Sequence, residues 1–193
     1  MGSVTQFLTW RLADALPAKV IKQWERELSH EEDQVRIRKI AQMVNTYCDK
    51  GYGECQLKDP RVARLAQEQL FENHGKQYEL HAWVVMPNHM HVLLTPIGAG
   101  LEEIVKGIKG ASSVKINQLL GRSGRLWQPG FFDRYIRDGD HLAGVKSYIE
   151  WNPVKATLCS DPTKWAWGSA NPDSRARLEF LISSRELTST TRD

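Results

Sequence analysis

Long apolar runs are missing from this chain of 193 residues. No stretch approaches the ~20 consecutive apolar residues of a membrane-spanning helix, and the chain does not begin with a basic segment followed by an apolar one. Cysteine is also scarce, because Cys48, Cys55 and Cys159 are an odd number and form no Cys-x-x-Cys pair. This argues against a disulfide framework and a zinc ribbon. We therefore expect a cytoplasmic protein with no membrane partner.

A strong net charge is lacking too. Lys and Arg total 26 against 23 for Asp and Glu, and a net charge of +3 does not by itself indicate a nucleic-acid partner. The basic residues are nevertheless concentrated, since residues 106–137 contain seven of them and a single acid. A basic stretch of this kind fits a surface that contacts phosphates, and a solvated face explains it equally well.

Three apolar and aromatic runs predict strands. They cover Val4–Leu12, Tyr78–Met86 and His89–Thr95, and the last two are joined by the turn composition Pro87–Asn88. Between the first strand and this hairpin the pattern is helical, so we predict a helical insertion at about residues 30–75. Ser29 is the predicted cap of its first helix.

The later elements complete one α+β domain. A basic helix is predicted from Leu101 to Leu120, and another helix is capped by Asp140 and ends at Pro153. A residue before proline avoids the α region, so Asn152 should be the last helical residue. This order predicts an antiparallel sheet with helices packed on one face. We assign residues 1–170 to a single domain and 171–193 to a partly disordered tail.

Two histidines carry the main chemical signal. His89 and His91 flank one apolar residue in the predicted strand, and strand side chains alternate, so both imidazoles lie on one face of the sheet. This arrangement can hold a metal ion on a rigid platform. His81 is interpreted as structural, because the turn at Pro87–Asn88 separates it from the pair.

A partner for the histidines comes from the later helix. Tyr148 and Asn152 stand four residues apart and share a helix face. The amide oxygen of Asn152 is a candidate third metal ligand, and Tyr148 would then lie beside the metal. The alternative is a half-buried tyrosine packing on the sheet, with Asn152 capping the helix end ahead of Pro153.

Four motifs stand out along the chain: the His-x-His strand, Trp127–Gln128, the run Phe131–Asp138 and the run Tyr148–Lys155. On these motifs the chain resembles the REP-associated tyrosine transposases, which belong to the single-tyrosine HUH superfamily. The resemblance implies a ferredoxin-like (RRM-like) core and a divalent metal. Matched residue by residue, it assigns His89, His91 and Asn152 to the metal and Tyr148 to the nucleophile. Trp151 departs from the family, which more often has a polar residue there.

The function implied is that of a metal-dependent transposase and endonuclease. Such an enzyme binds single-stranded hairpin DNA of the REP type, then cleaves and rejoins it through a 5′-phosphotyrosine. Ligand types of this kind fit Mg²⁺ or Mn²⁺. The expected location is the bacterial cytoplasm, at the nucleoid, and the chain acts as a monomer or a homodimer.

The predicted DNA contacts fall in the basic stretch. Unpaired bases can stack on aromatic side chains, so Trp127 and Phe131 are candidates, with core packing as the alternative that we prefer for Phe132. The predicted phosphate contacts are Lys106, Lys109, Lys115, Arg125, Arg134 and Arg137. Two other functions stay open: a non-catalytic, domesticated protein that binds hairpin DNA on the same scaffold, and a metallohydrolase that uses metal-bound water.

Overall fold

A four-stranded antiparallel sheet lies at the centre of the protein, in the order β2-β3-β1-β4. The computed structural model describes residues 4–190, with side chains described through Arg185. The strands are β1 (Gln6–Arg11), β2 (Tyr78–Val85), β3 (His89–Pro96) and β4 (Phe132–Tyr135). The helices are α1 (Ala18–Glu27), α2 (Asp33–Asp49), α3 (Pro60–Phe71), α4 (Leu101–Leu119), α5 (Gly139–Lys155) and α6 (Pro172–Thr190). The predicted α+β antiparallel fold is confirmed.

Helices α3 and α4 cover one face of the sheet. Leu8, Val92 and Leu94 point to this side and form the main core with apolar residues of both helices. Helix α3 begins at Pro60, where a missing N–H costs nothing, and the Asp59 side chain accepts a hydrogen bond from Arg61 N. The order β1-α3-β2-β3-α4-β4 gives the ferredoxin-like core that the resemblance implies.

The predicted insertion is smaller than expected. Val62, Ala66 and Leu70 of α3 are fully buried in the main core, so α3 belongs to the core and only α1 and α2 are inserted. The inserted pair buries little: α1 has no buried residue and α2 has only Cys48. Helix α2 begins after Glu32 without a side-chain cap, so the cap predicted at Ser29 is wrong.

The second face of the sheet is covered as well. Phe7, Val84 and Leu93 point to this side and pack against Ile149 of α5. Helices therefore lie on both faces, and not on one face as the sequence predicts. The middle of β1 is buried on both sides, from Phe7 to Trp10, which is the burial expected of a strand between two helical layers.

Helix α5 also differs from its prediction. The Asp138 side chain, and not that of Asp140, caps it by accepting a hydrogen bond from His141 N at 2.7 Å. The helix continues through Pro153 to Lys155, so Asn152 is an interior residue. Helical bonding resumes after the proline, since Ala156 N donates to the Asn152 carbonyl at 2.9 Å.

The end of the chain forms helix α6 where a partly disordered tail was expected. Leu178 is buried in the main core, and the half-buried Leu181 and Ile182 pack against it. Arg175 extends from α6 to the sheet, where Nη2 donates to the His81 carbonyl at 2.9 Å. Residues 191–193 of the predicted tail lie outside the described residues. Among the described helices, none has both the length and the apolar character needed to cross a membrane.

The packing of α6 predicts unequal effects for two neighbouring residues. We expect Leu178→Ala to lower the free energy of unfolding by about 2–4 kcal/mol, because it opens a cavity in the core. Phe180 is 61% exposed, so Phe180→Ala should cost less than about 1 kcal/mol. Urea unfolding measures both changes, and equal effects would show that α6 does not pack as described.

Candidate active site

The two histidines lie side by side on β3. His91 is paired with Thr9 of β1, and His89 is paired with Arg11. Both imidazoles are buried and face the second side of the sheet, where α5 packs. Their Nε2 atoms are 3.2 Å apart, as the alternation of strand side chains predicts.

Hydrogen bonds at Nδ1 set the orientation of both rings. Asn88 Nδ2 donates to the Tyr52 carbonyl at 2.8 Å, so Asn88 Oδ1 is turned toward His89. An amide oxygen only accepts, and therefore His89 carries its proton on Nδ1 and presents a lone pair at Nε2. The Thr9 hydroxyl is hydrogen-bonded to His91 Nδ1 at 2.7 Å, and it can act as donor or acceptor. Nδ1 partners of this kind are typical of histidines that bind metals through Nε2.

Asp49 is a third member of the cluster that the sequence did not reveal. Its Oδ1 lies 3.5 Å from His89 Nε2, and the ligand atoms of Asp49, His89 and His91 all lie within 4.8 Å of one another. Burial raises the pKa of the Asp49 carboxyl to about 6. Asp49 is the last residue of α2, where the helix dipole also disfavours a negative charge. No spacing signal could have identified it, because it stands far from both histidines in the chain.

Helix α5 brings the predicted tyrosine and asparagine to the same place. The Tyr148 ring lies 5.4 Å from the His91 ring and 5.9 Å from the Phe7 ring, measured between centroids. Burial raises the pKa of the Tyr148 phenol to about 12, and the negative charge of Asp49 adds to this effect. Lys155 Nζ lies 5.1 Å from the centre of the same ring. A single chain therefore assembles the whole cluster.

The cluster fits a divalent cation. A lone pair of His89, the Nε2 of His91 and the carboxylate oxygen of Asp49 converge here, and the positive charges of Arg11 and Lys155 act on the cluster without forming an ion pair with Asp49. Asn152 is buried on α5 one helical turn after Tyr148, and its amide makes no hydrogen bond of ordinary geometry, although its interaction with the Tyr148 phenol lowers the pKa of that group. Unpaired buried polar atoms are costly. Octahedral ligands at ~2.1 Å from an ion stand about 3 Å apart, close to the 3.2 and 3.5 Å separations seen here.

The predicted phosphate contacts do not form one surface. Lys106 and Arg125 are exposed along a groove between α4 and the segment 124–131, and Lys115 is exposed further along α4. Lys109 is engaged inside the protein, because its Nζ donates to the carbonyls of Gln128 and Gly130 at 2.7 and 2.6 Å. The structure therefore supports Lys109 as a brace for this segment.

The aromatic predictions were wrong at two positions. Trp127 is 4% exposed, and its indole N–H donates to Ser112 Oγ at 2.9 Å, so it packs in the core and offers no ring to a base. Phe132, for which we preferred core packing, is 38% exposed. Arg134 and Arg137 are exposed, and Arg134 pairs with Phe7, which places its side chain on the histidine face of the sheet.

The chain is similar in sequence to known proteins over the range that contains most of these residues. The family described as "Transposase IS200 like" matches residues 60–152, a range that includes both histidines, Tyr148 and Asn152. Over this range the chain is similar to the IS200-like transposases. A REP-associated tyrosine transposase of Escherichia coli (strain K12) is 30% identical over 104 residues. The resemblance stated from the sequence is thereby confirmed.

The extent of these similarities is limited. The match covers 51% of this chain and 58% of the E. coli protein. A solved structure of a REP-associated tyrosine transposase bound to a REP hairpin aligns with a TM-score of 0.55 over 92% of this chain and 83% of that one, at 20% identity. It shows that the fold is shared. The range matched by the IS200-like transposase family begins at Pro60, so Asp49 and the rest of α2 lie outside it.

The buried histidines predict that the metal-free protein loses stability in mild acid. Burial lowers the pKa of His91 to about 3 and that of His89 well below 6.5. The unfolded chain therefore binds more protons than the folded one below about pH 6.5, and stability falls with pH. The raised pKa of Asp49 acts in the opposite sense, since the folded state gains its proton first as pH falls through about 6.

We expect a net loss of about 2–3 kcal/mol between pH 7.5 and pH 5 in the presence of EDTA. Urea unfolding at several pH values measures it. His91→Gln should reduce the slope, whereas His30→Gln should not, because the His30 side chain is 73% exposed. A slope that His91→Gln leaves unchanged would mean that His91 is not buried in its neutral form.

Proposed function

We propose that this protein is a metal-dependent transposase that cleaves and rejoins single-stranded hairpin DNA through Tyr148. The observation that carries the proposal is the position of the Tyr148 ring against His91, within the chain that also supplies the other cluster residues. The names of the two relatives support DNA as the partner, since one is a REP-associated tyrosine transposase and the other is bound to a REP hairpin.

The chemistry follows from the tyrosine. Tyr148 Oη attacks the phosphorus of a phosphodiester, a new bond forms between this oxygen and phosphorus, and the bond to the 3′ oxygen breaks. The 3′ oxygen leaves with a proton as a hydroxyl, and the DNA stays attached to the protein by a 5′-phosphotyrosine. Another 3′ hydroxyl can reverse this step and join a new strand without ATP, because the phosphotyrosine conserves the energy of the broken bond.

The metal site is proposed to consist of His89, His91 and Asn152, as the sequence predicts, with Asp49 as an additional anionic ligand. A divalent ion such as Mg²⁺ or Mn²⁺ supplies positive charge for the phosphate oxygens. The protein itself positions the ligands through Asn88 and Thr9. Tyr148 must lose its proton to react, and its raised pKa of about 12 means that the metal-free site holds the neutral phenol at pH 7.

The domain that performs this function is proposed to span residues 1–170, with α6 packed against it. One chain contains all the proposed ligands and the nucleophile, so a monomer is sufficient, and a homodimer is not required for cleavage. A chromosomal hairpin as substrate would place the protein at the bacterial nucleoid.

A covalent adduct tests the nucleophile. We expect hairpin DNA with a single-stranded flank to form a protein–DNA adduct in the presence of Mn²⁺, visible as a slower band on a denaturing gel. Tyr148→Phe should abolish it, because the variant lacks the attacking oxygen. Tyr135→Phe is the matched control, since Tyr135 is a 61% exposed tyrosine of β4 and lies outside the cluster.

The same assay separates the alternatives. An adduct that persists in Tyr148→Phe would exclude Tyr148 as the nucleophile. DNA binding without an adduct or cleavage in the wild type would favour the non-catalytic hairpin-binding protein. Cleaved DNA with no protein attached would favour the metallohydrolase.

Metal binding has its own readout in thermal unfolding. A ligand at 100 times its Kd stabilises the folded state by about 2.7 kcal/mol, so Mn²⁺ should raise the Tm of the wild type. His91→Ala should remove this shift and Asp49→Asn should reduce it. Asp33→Asn, at the other end of α2 and 78% exposed, should keep it. A shift that His91→Ala leaves intact would place the ion elsewhere.

A further inference from the structure

We propose that a groove between α2 and the edge of β4 binds one unpaired base of the DNA strand, next to the phosphodiester that Tyr148 attacks. This inference rests on the proposed function. The α2–β4 groove has a volume of about 440 Å³, which is within the range of small-ligand sites. Its lining includes Thr9, Arg11, Ile37, Val44, Phe131 and Phe132.

The walls of the groove combine apolar side chains, which are open to solvent, with polar and charged residues that include one acid, Glu25. Ile37 of α2 is 58% exposed and Phe132 of β4 is 38% exposed. An exposed aromatic ring on an edge strand contributes little to the core, and it offers a flat surface on which a base can stack. The ring of a base is the complementary shape, because every base has two apolar faces and a polar edge.

The groove reaches the catalytic cluster through two contacts. Thr9 lines the groove, and its hydroxyl is also the hydrogen-bond partner of His91 Nδ1. Phe132 is paired with Thr9 across β1 and β4. The Phe7 ring contacts Phe132 at 6.3 Å and Tyr148 at 5.9 Å between centroids. The Phe132 ring is therefore separated from the Tyr148 ring by one aromatic ring, that of Phe7.

Positive charge lies on both sides of the proposed base site. Phe132 of β4 is paired with Thr9 of β1 and lies on the histidine face of the sheet. Arg134 lies on the same face two residues later in β4, where it pairs with Phe7. Arg11 lies on this face two residues after Thr9 in β1, so the two arginines flank Phe132. Arg11 lines the groove and Arg134 is exposed beside it. Phosphates on either side of a bound base would meet these cations.

Part of the groove is formed by the inserted helix α2. Ile37, Ile40 and Val44 come from α2, which lies outside the range matched by the transposase family. A base bound in the groove would therefore contact residues that lie outside the range matched by the transposase family.

The test compares two exposed aromatic residues of one strand. The probes are a fluorescent DNA hairpin with a single-stranded flank and the same hairpin without the flank. Phe132→Ala should weaken binding of the flanked hairpin by about 5- to 150-fold, the equivalent of the ~1–3 kcal/mol that one stacked base contributes. Binding of the blunt hairpin should not change. Tyr135→Ala is the control, because Tyr135 is 61% exposed on the opposite face of β4.

A scan of abasic sites locates the base. One abasic position in the flank should weaken wild-type binding by the same factor, and Phe132→Ala should show no further loss on that DNA. Ile37→Glu, which places a charge in the groove without touching the sheet, should reproduce the loss. Equal effects of Phe132→Ala and Tyr135→Ala, or the absence of a sensitive abasic position, would overturn the proposal.

Two further measurements distinguish base binding from dimerisation and from the cleavage reaction. If the groove instead joins two copies of the chain, light scattering will show a dimer that Phe132→Ala dissociates, and the base site is wrong. Adduct formation by the wild type is scored in the same samples. An adduct without a sensitive abasic position would disprove only the base site in the groove. A sensitive position without an adduct would support the base site and disprove only the proposed cleavage reaction.

Discussion

The structure depends on one electrostatic constraint: imidazole nitrogens and a carboxylate oxygen converge at a buried position. His89 presents a lone pair because Asn88 fixes its proton on the other nitrogen. Asp49 adds a carboxylate oxygen, and Asn152 adds a buried amide that makes no hydrogen bond of ordinary geometry but interacts with the Tyr148 phenol. A divalent cation bound here would offset the cost of burying these polar atoms, which is why we propose a metal site. The sheet supplies the two histidines, α2 supplies Asp49 and α5 supplies Asn152.

The two faces of the sheet differ in what they contain. Helices α3 and α4 cover one face of the sheet with the larger apolar core, which includes Trp10 and Trp127. The other face has a smaller apolar cluster around Phe7 and Ile149, and the polar cluster lies next to it. Rigid strands therefore hold the histidines, while the large core on the far side offsets the cost of burying polar groups.

The sequence was sufficient for the parts of the site that depend on local spacing. Alternation along β3 predicted that His89 and His91 share a face, and helical spacing predicted the same for Tyr148 and Asn152. It was insufficient where tertiary packing decides. Trp127 is an aromatic residue of the type that stacks on bases. Only the structure shows that its side chain is buried, with a hydrogen bond to Ser112. Asp49 could not be found, because nothing in a single sequence links the end of an inserted helix to a distant strand.

The position of Asp49 at the end of α2 restricts how the insertion can vary in length. Each residue of an α-helix turns the following side chain by about 100°. A single deletion within α2 would keep the helix and its composition, yet it would rotate the carboxylate away from His89. The insertion can therefore change its length only in steps that return the carboxylate to the same side of the helix.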